Sequence, residues 1–109
     1  MNLKNLEEKI LNIDSSNINE SDIKDVEEAV AALDRGEIRV AQESNGEWII
    51  NEWVREAVLL FFSIRNLKEI ESGDLLFYDK LEPKKNYEKL KIRVVPPGVV
   101  RYGAFCEPG

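Results

Sequence analysis

The sequence predicts a mainly α-helical domain carrying a small β-hairpin, an α+β fold, and three observations lead there. Apolar residues recur at helical spacing in two separate stretches near the N-terminus. A third stretch is apolar nearly throughout over the length of a helix. Between the second and third lies an Asn-Gly turn signal flanked by extended residues. The 109 residues, 43% of them hydrophobic, suffice for one domain with a real core on a scale of roughly 100–200 residues per domain.

The first helix is expected over residues 2–13, where Leu3, Leu6, Ile10 and Ile13 share one face and Lys4, Glu7, Glu8 and Lys9 turn outward. Residues 14–20, rich in Ser and Asn, read as a loop. A second helix is expected from Ser21 or Asp22, with Ser21 as the capping residue and Asp22 favourable at the positive end of the dipole. Its stripe is Ile23, Val26, Val30 and Leu33, and Gly36 supplies the stop.

The period then shortens. Ile38 and Val40 alternate with Arg39, Asn45-Gly46 marks a tight turn, and Glu47–Ile50 resumes extended character, which predicts a hairpin over about 38–50. Asn51 is placed to cap a third helix over 52–64. Its run Ala57–Phe62 predicts burial on most sides and a dominant place in the core. Beyond Asn66, Leu75–Phe77 reads as a short strand and Lys84–Lys91 as a charged connector. Ile92–Val95 reads as a strand ended by Pro96-Pro97, because proline has no amide for pairing. Val99 to Phe105 forms a last apolar extended run, which predicts further β-structure after it.

Composition excludes several chemistries. Fifteen basic against 21 acidic residues leave a net charge of −6 with no basic stripe, which repels phosphate polyanions and argues against nucleic acid as a partner. The sequence contains no histidine, so Ser-His and Cys-His nucleophile pairs and every His-containing metal site are ruled out. Cys106, the single cysteine, makes no intrachain disulfide. No apolar run approaches the ~20 residues that span a bilayer, and Met1–Lys4 lacks a signal-peptide layout. A cytoplasmic protein with no membrane partner is therefore expected.

Most of the candidate functional residues have simpler roles. Glu7-Glu8 and Glu27-Glu28 read as solvated helix faces rather than acid/base pairs, since nothing apolar surrounds them. Trp48 and Trp53 flank the third helix and are expected in the core rather than as a stacking platform. Cys106 reads as a small inert hydrophobe. Arg93 leaves two readings open. On an alternating strand it points to solvent while Ile92 and Val94 point inward; alternatively, a guanidinium beside a stiff Pro-Pro corner grips a carboxylate with both prongs.

Several stretches together resemble a known family. Gly36-Glu37-Ile38-Arg39-Val40-Ala41 is followed by Asn45-Gly46-Glu47-Trp48, then by Trp53 to Leu60 and Phe77-Tyr78-Asp79-Lys80. Arg93-Val94-Val95-Pro96-Pro97, Val100-Arg101 and Gly103-Ala104-Phe105 complete the set. In this order they resemble the N-terminal region of the tetrahydrodipicolinate N-succinyltransferases of lysine (diaminopimelate) biosynthesis, over about residues 22–105. The resemblance implies transfer of a succinyl group from succinyl-CoA to the amino group of a ring-opened dicarboxylate. It implies a homotrimer whose larger C-terminal part is a left-handed β-helix of hexapeptide repeats, absent from this sequence, that holds the catalytic carboxylate and the coenzyme A site.

On that reading, residues 1–95 are a helical N-terminal domain, and 96–109 are the Pro-Pro corner and the start of a connection to the β-helix. No catalytic residue, cofactor site or metal site is expected within this chain, which should be inactive alone. By the same resemblance Arg93 contacts the dicarboxylate substrate. Two departures stand out: Arg55-Glu56 replaces two lysines, and Phe62 is followed by Ser63, with the arginine displaced to Arg65. A free-standing helical interaction module is the competing reading, because the apolar segment Val99–Phe105 would dock on β-structure in either case.

Overall fold

The computed structural model describes residues 2–109. Its first helix, α1 (Leu3–Leu11), starts at Asn2, whose side chain accepts from the Asn5 amide, and buries Leu6 and Ile10. The second, α2 (Glu20–Asp34), begins earlier than expected. Asn19, not Ser21, is the cap: its Oδ1 accepts from the Asp22 amide at 2.9 Å while Asp22 Oδ2 accepts from the Asn19 amide at 3.1 Å. That reciprocal pair satisfies two amides left free at the helix start, which a serine already two positions inside the helix cannot do. The buried face of α2 is Val26, Ala29, Val30 and Ala32, so the small alanines let the neighbouring helices approach.

Ile38 is buried, but it precedes the sheet instead of lying in it. Arg39 O and Val40 O are taken by Asn51, through its Nδ2 at 2.7 Å and its amide at 2.7 Å, so the ladder opens only at Ala41. Strands β1 (Ala41–Ser44) and β2 (Glu47–Ile50) pair antiparallel around Asn45 and Gly46, both at positive φ, as a two-residue primed turn requires. Neither face of this hairpin packs on the core. Trp48, expected inside, is 70% exposed, whereas Trp53 is 9% exposed.

The third helix, α3 (Glu52–Ile64), matches its expected bounds and lies against both α1 and α2. It buries Trp53, Val54, Ala57, Leu60 and Phe61, but Leu59 faces solvent because α1 and α2 cover only one side. Asn51 does not cap it with its side chain, which is committed to Arg39 and Gln42.

A second hairpin follows, of which the sequence suggested only one strand. β3 (Lys68–Ser72) pairs antiparallel with β4 (Leu75–Asp79) across a turn opened by Gly73 at φ +61°. The supposed connector contains a single helical turn, α4 (Tyr87–Leu90), and the buried Lys84. Residues 92–95 join no ladder, so the expected strand is absent: a β-prone segment becomes a strand only where a partner offers its amides and carbonyls. Among the described residues no helix is long and apolar enough to cross a membrane.

Candidate functional site

Residues 84–103 build the region around Arg93. The chain leaves the helical layer at Lys84, turns through α4, and exits it at Lys91 in a left-handed conformation (φ +58°). It then passes through Ile92–Val95 to the Pro96-Pro97 corner, where the Gly98 amide closes on Val95 O at 2.6 Å across a cis Pro-Pro bond. Returning, it pairs with its own start: the Lys84 amide donates to Val100 O at 2.7 Å, and the Tyr102 amide to Glu82 O at 2.9 Å.

Ile92 and Val94 are half-buried and Arg93 is exposed, the alternation an extended segment imposes. Val94, Pro96, Pro97 and Val99 form one wall of an open groove of about 480 Å³, with Ile70, Leu75 and Phe77 of the second hairpin opposite. Arg93, on the other side of the segment from Val94, does not line it.

The other five arginines of this protein each have an acidic partner. Arg35 pairs with Glu37, Arg39 with Glu107, Arg55 with Glu52, Arg65 with Glu82, and Arg101 grips Asp79 with both prongs at 3.0 and 2.9 Å. Arg93 is the one arginine without an acidic partner among the described residues. A guanidinium left unpaired on the surface of an acidic protein is available to an outside carboxylate.

Both departures noted in the sequence fall near these pairs. Arg55 and Glu56 lie on the exposed face of α3, with Arg55 turned to Glu52 at 3.4 Å. Arg65 stacks over Phe61 at 5.0 Å and bonds Lys80 O at 3.1 Å, tying the end of α3 to the second hairpin.

Lys84, which the sequence pattern places in a charged connector, is a buried structural cation. Its side chain is 3% exposed, and its Nζ donates to Asp34 Oδ1 at 2.7 Å and to Asp34 O at 3.0 Å. The same Oδ1 accepts from the Gly103 amide at 2.8 Å. The partners lie 50 and 69 positions apart, beyond any local pattern. One signal was present: an aspartate closing a helix faces the negative end of the dipole, and α2 has no basic residue in its last turn. Burial pushes the nearby Tyr102 phenol above its ordinary value, and the Asp34 and Glu82 carboxylates add to the shift.

Comparison with known proteins decides the family. A family described as tetrahydrodipicolinate N-succinyltransferase N-terminal matches residues 4–64, from the second residue of α1 through α2 and the first hairpin to the end of α3. The chain belongs to this N-terminal succinyltransferase family. A 2,3,4,5-tetrahydropyridine-2,6-dicarboxylate N-succinyltransferase of Acinetobacter baumannii is 49% identical over 86 residues, covering 73% of this chain and 32% of that protein. The enzyme of the same name from Acinetobacter baylyi is 46% identical over 86 residues, with the same coverage of 73% and 32%. The chain thus spans about a third of the length of these succinyltransferases.

Proposed function

We propose that this chain is the substrate-side domain of an N-succinyltransferase that moves a succinyl group from succinyl-CoA to ring-opened tetrahydrodipicolinate, in the cytoplasm, as part of a homotrimer. In that reaction the amine nitrogen bonds to the thioester carbonyl carbon, the carbon–sulfur bond breaks, and the amine proton ends on the coenzyme A thiol. A C-terminal β-helix domain holds the coenzyme and the catalytic carboxylate, while this domain supplies Arg93. Residues 1–95 form the helical domain and 96–109 the corner and connection.

The observation that carries the reading is the unpaired state of Arg93 beside a corner closed by the Gly98–Val95 bond. A substrate with two carboxylates needs a cation that fixes direction as well as charge, and a planar guanidinium does both. The test is a chimera in which residues 22–105 replace the matching region of the Acinetobacter baumannii enzyme. It is expected to transfer succinyl, and the 109-residue chain alone to transfer none. A folded, trimeric but inactive chimera would favour the interaction-module reading, and turnover by the chain alone would refute the division of labour.

A further inference from the structure

Residues 85–99 carry Arg93, yet none of them is buried. Core packing therefore does not set where this segment lies. Its internal bonds, Ile92 amide to Tyr87 O at 2.9 Å and Gly98 amide to Val95 O at 2.6 Å, shape the loop without tying it to the helices. Besides one bond from the Gly109 amide to Lys91 O at 3.0 Å, what ties it is its neck, where Pro83 and Arg101 form a single antiparallel bridge.

One side chain of the helical layer grips both strands of that neck. Asp34, the last residue of α2, takes Lys84 on the outgoing strand at 2.7 Å and the Gly103 amide on the returning strand at 2.8 Å, on the same Oδ1. Lys84 adds a bond to Asp34 O at 3.0 Å, which places a cation where the α2 dipole is negative. Both contacts are charge-assisted and shielded from solvent on the Lys84 side, where such bonds hold geometry best.

We propose that Asp34 is a positioning residue for Arg93: through Lys84 and Gly103 it fixes both ends of segment 85–99 to α2 and so sets where the guanidinium meets the substrate. The proposal rests on the reading of Arg93 as the substrate contact. Asp34 itself touches no substrate.

The test variant is Asp34→Ala/Lys84→Met, which removes both charges together so that neither is left buried alone. In the 109-residue chain, trypsin cleavage after Lys85, Lys89, Lys91 and Arg93 is expected to speed up about tenfold, with cleavage outside 84–99 unchanged, the site at 84 being removed by Lys84→Met itself. A wild-type digestion rate, or faster cleavage throughout the chain, overturns the proposal.

In the chimera, the double variant is expected to raise the dicarboxylate KM about tenfold with the succinyl-CoA KM unchanged. Adding Arg93→Ala should then raise KM no further than Arg93→Ala does alone, because Asp34 acts only through that arginine. Full additivity overturns the positioning role. If Arg93→Ala leaves the dicarboxylate KM unchanged, the substrate reading fails instead, and the digestion experiment still decides whether Asp34 holds the loop.

Discussion

The ring of Phe105 lies directly on Gly36: a Cβ at position 36 would come within 2.6 Å of Phe105 Cδ2. The guanidinium of Arg39 stacks over the same ring at 4.7 Å. The stop of α2 and the C-terminal segment therefore meet over a residue that has no side chain, and Gly36 also holds φ +79°. Gly36→Ala is expected to destabilise the fold by about 1–3 kcal/mol, combining the left-handed backbone penalty with displacement of the ring. Measured by urea denaturation against Phe105→Ala, the same change should cost less, because only the backbone penalty remains.

Leu60 is 3% exposed at the centre of the face that α3 presents to the other helices. Leu60→Ala should lower stability by about 2–5 kcal/mol, a large share of the ~5–15 kcal/mol available to a small domain. Leu59→Ala, one position along and solvent-facing, should change it by no more than about 0.5 kcal/mol. Equal effects from the two substitutions would place α3 wrongly.

The two tryptophans report separately on core and hairpin. In Trp48→Phe, the remaining Trp53 fluorescence should resist quenching by iodide. In Trp53→Phe, the exposed Trp48 should quench readily. Unfolding should make the two variants alike.

Asp79 is held below its ordinary carboxylate value of 3.8, first by the backbone amide of Lys80 and then by Arg101, which grips both its oxygens. The folded chain releases this proton more readily than the unfolded one, so the contribution is complete above pH 3.8 and is lost as pH falls below it. A carbon-detected titration of the Asp79 carboxyl should show a midpoint below 3.8. Arg101→Gln should move that midpoint part of the way back, since the Lys80 amide stays.

Arg93→Ala in the chimera should weaken dicarboxylate binding by about 1.5–3 kcal/mol, the range of a charge-assisted hydrogen bond. Arg93→Lys should recover only part of the loss, because an ammonium carries the charge without the planar fork. Stability should hold in both, as the side chain is exposed. Normal dicarboxylate binding by Arg93→Ala would remove the arginine from the site.

The sequence by itself determined the three long helices, because burial against one neighbour writes a 3.6-residue rhythm into any helix that packs; Leu6, Ile10, Val26, Val30, Val54 and Leu60 carry it. It also determined the Asn45-Gly46 turn, whose positive φ values few other residue pairs accept. The ordered motifs from Gly36 to Phe105 carried the family. Tertiary structure decided the rest. Trp48 lies outside because nothing covers its hairpin, and Ile92–Val95 form no strand because no edge reaches them. β3 escaped notice because Lys68–Ser72 offers only Ile70 to a hydrophobic pattern. The clasp of Asp34 on Lys84 and Gly103 joins residues 50 and 69 positions apart, and such a pair has no local signature: only the folded chain brings the charge to the end of the helix that needs it.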